Sequence, residues 1–153
     1  MTVDAATVRA LALGPESTRA DHTIDITTRG ARTGLSRRIE VWFHRVDGRW
    51  FLTGVPGPRN WYANILAHPR FIVHLKHGVR VDLPATGLAI VDPTERRHVF
   101  TEVLKMQDRP QTGGRGPRQY LKDWLAGSPL VEIVFDDEEL RVAASTTTNE
   151  TGT

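Results

Sequence analysis

The sequence predicts a mainly β domain with flanking helices, its antiparallel strands closing into a small barrel. Three observations carry this. Runs in which apolar and polar residues alternate recur between Thr23 and Phe135, the signature of half-buried strands. These runs follow one another through short turns, so neighbours in sequence pair as hairpins. About six such strands suffice to close a sheet on itself, which removes exposed edges.

Taken in order, residues Val3 to Leu13 alternate alanine with Val8, Leu11 and Leu13, predicting a short helix that Gly14-Pro15 ends. From Thr23 the period becomes two. Ile24 and Ile26 alternate with Asp25 and Thr27 in a first strand. Arg29-Gly30-Ala31-Arg32-Thr33-Gly34 is its turn, with two glycines available for left-handed backbone. The second strand puts Ile39, Val41 and Phe43 on one face and Arg38, Glu40, Trp42 and His44 on the other. Parity sets Arg37 on the apolar face, at the mouth of the strand. Asp47-Gly48 is a strong hairpin signal, and Trp50-Phe51-Leu52 begins the third strand.

Val55-Pro56-Gly57-Pro58 interrupts the sheet. Asn60 is expected to cap a short helix through Trp61, Tyr62, Ile65 and Leu66, which Pro69 ends. Phe71 to Lys76 is a fourth strand and His77-Gly78 a turn. Val79 to Leu83 is a fifth, which Pro84 is expected to break with a bulge or an edge before Thr86 to Val91 resumes. Asp92-Pro93-Thr94-Glu95 starts a helix whose Val99, Phe100, Val103, Leu104 and Met106 form one buried stripe. The glycine- and proline-rich stretch 109–117 is irregular, residues 111–118 are a candidate lid, and Tyr120 and Trp124 are expected to face a pocket behind it. Gln119 to Leu125 is a short helix and Leu130 to Phe135 the last strand.

The totals narrow the function. The 153 residues are read as one domain over 1–143 with a disordered tail at 144–153. The absence of cysteine excludes disulfides, thiolate metal sites and cysteine nucleophiles. A net charge of +2 is small for a genome-binding module, and no nucleic-acid partner is expected. No apolar run approaches the ~20 residues of a membrane span. The amino terminus shows no charged leader followed by a long apolar stretch, so a cytoplasmic protein is expected.

Two stretches are candidate sites. The arginines of the 29–38 turn, beside glycine and threonine donors, suit a phosphate, although a solvated hairpin tip has the same composition. In Pro56 to Asn64, a loop of Gly57 and Pro58 feeding a helix that carries Arg59, Asn60, Trp61 and Asn64 brings backbone donors and an aromatic near one point, although Trp61 is equally suited to filling the core. The six histidines are scattered, and no metal site is expected. Gly-x-Ser-x-Gly and paired catalytic carboxylates are absent from the sequence.

The run Thr27-Thr28-Arg29-Gly30-Ala31-Arg32-Thr33-Gly34-Leu35-Ser36-Arg37 resembles the threonine-rich strand and Gly-Arg-Lys-Ser-Gly-x-x-Arg turn of the deazaflavin-dependent nitroreductases. Asn60-Trp61-Tyr62-Ala63-Asn64-Ile65-Leu66-Ala67-His68-Pro69 is similar to their Trp-Tyr-x-Asn-Leu-x-x-x-Pro helix. The resemblance spans residues 21 to 106. It implies a split β-barrel related to flavin-mononucleotide-binding oxidoreductases, with coenzyme F-420 as hydride donor and FMN as the alternative. It places Arg32, Thr33 and Arg37 at the cofactor phosphate, and Gly54, Val55, Pro56 and Gly57 along the ring. It has Trp61 and Asn64 hold the cofactor from the helix, and leaves the proton donor open between Tyr120, the candidate catalytic residue, and water. The chain departs from that pattern at Ala31, a basic residue in the family, and at Val55-Pro56-Gly57, where the family has Ser-Lys-Gly.

The expected function is hydride transfer to a small electron-poor acceptor: a quinone, an enone or a nitro compound. The alternative is a non-catalytic barrel that holds a flavin-, haem- or lipid-type ligand, and a nucleic-acid-binding barrel ranks last. A homodimer is expected on the resemblance alone.

Overall fold

The structure, a computed structural model, describes residues 3–113 and 119–141. Six strands, β1 (Thr23–Arg29), β2 (Ser36–Val46), β3 (Arg49–Thr53), β4 (Arg70–Leu75), β5 (Val81–Ala89) and β6 (Leu130–Phe135), close a barrel in the order β1-β2-β3-β6-β5-β4. Every pairing is antiparallel. The helices are α1 (Ala5–Leu11), α2 (Arg19–His22), α3 (Asn60–Ala67), α4 (Pro93–Gln107) and α5 (Leu121–Gly127). The predicted mainly β class with flanking helices is the one found.

Local chemistry sets the hairpins. Asp47 and Gly48 adopt φ of 54° and 76°, a two-residue left-handed turn whose twist matches that of the flanking strands. Inside the barrel, Ile24, Ile26, Phe43, Leu52, Val73 and Ile133 are buried in one core. Helix α1 closes one end. Its Asp4 cap accepts from the Ala6 amide at 2.8 Å, and its Leu11 carbonyl accepts from Trp50 Nε1 at 2.9 Å. Helix α3 closes the other end with Trp61 and Ile65. It lies so close to β5 that a Cβ on Gly87 would sit 2.5 Å from Ile65 Cγ2. A second core lies outside the sheet, where Val99, Phe100 and Val103 of α4 and Trp124 of α5 cover Phe51.

That outer layer corrects the expected pattern of β2. His44, assigned to a polar face, is 3% exposed because α2 and α4 pack against the strand. Trp124 likewise faces no pocket: it is fully buried, with its ring 5.7 Å from Phe100. Pro84 neither breaks nor bulges the sheet; β5 runs through it, opposite Ile72. The N and the carbonyl of one strand residue point the same way. Pro84's carbonyl accepts from the Asp136 amide at 3.0 Å, so its missing N–H faces the rim just beyond β6, where it costs no ladder bond.

Three helix boundaries also differ. Arg59 rather than Asn60 is the cap of α3, and it makes no side-chain capping bond. Helix α2 was not anticipated, although Thr18 and Asp21 form a capping box there. Within the stretch read as irregular, Pro110–Thr112 makes a turn of 3-10 helix. Residues 114–118 of the candidate lid and the tail at 144–153 lie outside the described residues. No helix among the described residues is long and apolar enough to cross a membrane.

Candidate functional site

The turn between β1 and β2 is held by its own backbone. The Gly30 amide donates to the Leu35 carbonyl at 2.8 Å and the Gly34 amide to the Gly30 carbonyl at 2.9 Å. A Cβ on Gly30 would lie 2.6 Å from Thr33 Oγ1, so the tight path requires glycine there. Thr33 Oγ1 accepts from the Leu35 amide at 3.2 Å, and Arg29 Nε donates to the Gly34 carbonyl at 3.2 Å.

Asn64 joins this turn to α3. Its Oδ1 accepts from the Ala31 amide at 2.9 Å, and its Nδ2 donates to Thr28 Oγ1 at 3.0 Å. The side chain is 8% exposed and Thr28 only 3%. A single buried amide therefore fixes both the last turn of β1 and the loop that follows. Trp61, one helical turn earlier, is 6% exposed and belongs to the barrel core.

Register decides which arginines are available. Arg38 lies opposite Thr27 on the outer face and pairs with Asp25 at 3.0 Å. Lys76 reaches the same carboxylate at 2.8 Å. Burial alone would raise the Asp25 pKa, but the Lys76 and Arg38 contacts together outweigh it and hold the carboxyl below its ordinary pKa. Arg37 lies opposite Thr28, and residues facing each other across an antiparallel pair share a face, so Arg37 is on the side of Asn64. Arg37, Arg32 and Thr33 are exposed. Among the described residues, neither Arg32 nor Arg37 has an ion-pair partner.

The second stretch follows β3 and leads into α3. After β3, Gly54 is half-buried, Val55 and Pro56 are exposed, and Gly57 adopts φ of 132°. The Gly57 amide donates to the Gly127 carbonyl at 3.0 Å, tying the loop to the end of α5. Tyr120, half-exposed, is the cap residue at the start of that helix. Arg59, named in this stretch from sequence but given no role in the site, donates from Nη2 to the Val55 carbonyl at 2.8 Å and from Nη1 to the Pro58 carbonyl at 3.0 Å. Its guanidinium lies 3.4 Å from where a Cβ of Gly54 would be.

The donor set has the chemistry to hold a phosphate and a flat ring. Two unpaired guanidiniums, a threonine and loop amides suit the first, and the side-chain-free backbone at Gly54 and Gly57 suits the second. Elsewhere, His74 on the outer face bonds Thr27 Oγ1 and Asp82 Oδ1, each at 2.6 Å. Among the described residues no group of three His, Asp or Glu side chains could hold a metal ion.

Comparison with known proteins bears on the fold and the family. A conserved hypothetical protein of Mycobacterium tuberculosis superposes with a TM-score of 0.61 at 16% identity, covering 90% of this chain and 83% of that one. An FAD-binding protein of Mesorhizobium loti gives 0.56 at 17%, covering 90% and 93%. The haem storage protein HutZ of Vibrio cholerae gives 0.52 at 12%, covering 76% and 82%. At these identities the likeness concerns the split-barrel fold. The search of curated proteins gives no match. Residues 5–109, which include the arginine turn, the Gly54–Gly57 loop and α3, match the family model described as F420H(2)-dependent quinone reductase. With more than half of its length matched, the chain belongs to the F420H(2)-dependent quinone reductase family.

Proposed function

We propose that this chain binds coenzyme F-420 at the rim formed by the 29–35 turn, the Gly54–Gly57 loop and α3, and reduces small electron-poor acceptors there. Quinones are the first class, with enones and nitro compounds as further acceptors. The observation that carries the reading is the Asn64 clamp: it joins the two stretches into one site and leaves Arg32 and Arg37 unpaired beside it.

When bound, the reduced deazaflavin supplies a hydride. The chain contributes binding and orientation. Arg32, Thr33 and Arg37 hold the phosphate through charge-assisted hydrogen bonds. Gly54, Val55, Pro56 and Gly57 offer backbone to one edge of the ring, and Arg59 adds a cation there that the Val55–Pro56 sequence lacks. Trp61 acts from the core, as the support on which the rim stands. Asn64 sets the turn. Tyr120, the cap residue of α5, gives a proton to the oxygen that becomes an alcohol or phenol as the acceptor is reduced.

The test is a fluorescence titration of the purified protein with coenzyme F-420 and, separately, FMN, followed by oxidation of the reduced deazaflavin in the presence of a naphthoquinone. F-420 is expected to bind preferentially and the quinone to be turned over. The Arg32→Ala and Arg37→Ala changes are each expected to weaken cofactor binding about tenfold or more. Unchanged affinity in both variants refutes the phosphate assignment. Binding without turnover of any quinone, enone or nitro compound favours the ligand-holding alternative, for which the shared barrel of the haem storage protein is the motive.

A further inference from the structure

Helix α3 plugs the barrel with Trp61 and Ile65, and its other side faces solvent. Asn60, Ala63, Leu66 and Ala67 are exposed there. The helix contains no Lys, Arg, Asp or Glu, whereas a surface helix ordinarily turns a charged side to water. Leu66 is 55% exposed. Two further aliphatic side chains stand out at the same end of the barrel. Leu35, in the turn that Asn64 holds to α3 through the Ala31 amide, is 70% exposed. Val55, whose carbonyl accepts from Arg59 just ahead of the helix, is 47% exposed.

The charge around these three is of one sign. The sequence has no acidic residue between Asp25 and Glu40 or between Asp47 and Asp82. Those intervals hold the whole turn, the Gly54–Gly57 loop and α3. Arg29, Arg32, Arg37 and Arg59 lie in them, and among the described residues none of the four has an ion-pair partner. Of the carboxylates at or near this end, Asp25 is held by Arg38 and Lys76, and Asp136 by Arg70. Asp92, after β5, caps α4 through the Glu95 amide at 2.9 Å. Helix α5, which ends beside Pro56, carries one acid, Asp123, next to Lys122. The four arginines are therefore left without compensation.

We propose that this end of the barrel docks on an anionic lipid surface, with Leu35, Val55 and Leu66 entering the headgroup layer and the arginines facing lipid phosphates. The combination selects a bilayer. Aliphatic tips gain by leaving water, and the cations around them gain by approaching anionic headgroups; stable attachment takes both. A second copy of the chain fits poorly, because a two-fold interface sets a patch against itself, here four uncompensated arginines against four. Single-stranded nucleic acid meets the same charge, but its bases are held by exposed aromatic faces, and the large apolar side chains exposed on these stretches are aliphatic. The inference goes beyond the cofactor reading and does not rest on it. Arg32 and Arg37 belong to that reading, so the variants below leave both in place.

The experiment sediments the full chain, with no F-420 added, with vesicles of phosphatidylcholine alone and with vesicles in which about a third of the lipid is phosphatidylglycerol. The anionic vesicles are expected to bind it at least about tenfold more tightly than the neutral ones. Leu35→Ser and Leu66→Ser each remove one aliphatic tip, and each is expected to weaken binding about fivefold to tenfold while circular dichroism and the urea midpoint stay unchanged. Val8→Ser, on α1 at the opposite end and 44% exposed, is expected to leave binding as it is. The inference is overturned by an absence of binding to anionic vesicles, by equal binding to both kinds, by an equal loss from Val8→Ser, or by binding that both leucine changes leave intact. Self-association that Leu66→Ser abolishes, without vesicle binding, assigns the face to a second copy instead. Tighter binding to a single-stranded oligonucleotide than to the anionic vesicles assigns it to nucleic acid. If Leu35→Ser disturbs the turn, Leu66→Ser decides alone. Because no readout contains cofactor or acceptor, failure here is separable from failure of the proposed function.

Discussion

Asn64 is the residue whose removal tests the site most directly. In Asn64→Ala two hydrogen bonds disappear, from the Ala31 amide at 2.9 Å and to Thr28 Oγ1 at 3.0 Å. Ala31 is exposed, so water replaces that partner at little cost. Thr28 is 3% exposed, and its hydroxyl loses a donor in a place water does not reach. The net cost is about 1–2 kcal/mol for the buried bond and the small cavity together. For a chain of this size each kcal/mol lowers Tm by about 2–4 °C. Urea denaturation of the wild type, Asn64→Ala, Thr28→Val and the double variant gives the coupling directly. About 1 kcal/mol of coupling is expected. The same four proteins, titrated with F-420, separate two roles. If Asn64 acts by holding the turn, Thr28→Val weakens the cofactor as well. If it touches the cofactor itself, only Asn64→Ala does. Additive stabilities in the cycle, with F-420 affinity unaltered in all four proteins, would refute the clamp.

Three further outcomes follow from other parts of the fold. Burial, helped by the neighbouring His22, lowers the His44 pKa from 6.5 to about 3, so the unfolded chain takes up this proton before the folded one does. Stability is thus complete above pH 6.5 and falls as the pH drops towards 3. By pH 5 the loss from this ring is about 2 kcal/mol. Burial also lowers the His22 pKa and adds to the same slope. Urea midpoints at pH 7 and 5 measure it, and His44→Gln is expected to flatten the slope. Gly87→Ala places a methyl 2.5 Å from Ile65 Cγ2 and 3.0 Å from Val131 Cγ1, costing about 1–3 kcal/mol. Ile65→Ala in the same chain is expected to recover part of that loss, and purely additive thermal shifts would contradict the contact. Arg49 is held by Glu132 at 2.6 and 3.1 Å and by Glu95 at 2.6 Å, but with 40% of its side chain exposed. Arg49→Met is expected to cost no more than about 1 kcal/mol, a difference that shrinks in high salt.

What the sequence makes legible here is what short stretches determine. The Ile24–Ile26 alternation, the Asp47-Gly48 turn and the Asp92-Pro93 helix start are all local, and each forms where its residues say. Burial of His44 is not local: it depends on α2 and α4, and α4 starts nearly fifty positions later in the chain. The path through Pro84 is decided by where β6 stops, which no residue of β5 encodes. The same division runs through the site. Four arginines near one turn are visible as a charge cluster, but their availability is settled by pairing across strands. Arg38 is taken by an aspartate on β1 that Lys76 of the segment after β4 also approaches. Arg29 is spent on the turn itself. Arg32 and Arg37 remain unpaired among the described residues, and Asn64, from a helix that plugs the barrel, holds the loop that presents them. The pair of unpaired arginines on which the proposed phosphate site rests is therefore a property of register and closure, assembled from a motif that is only a basic hairpin until the barrel forms.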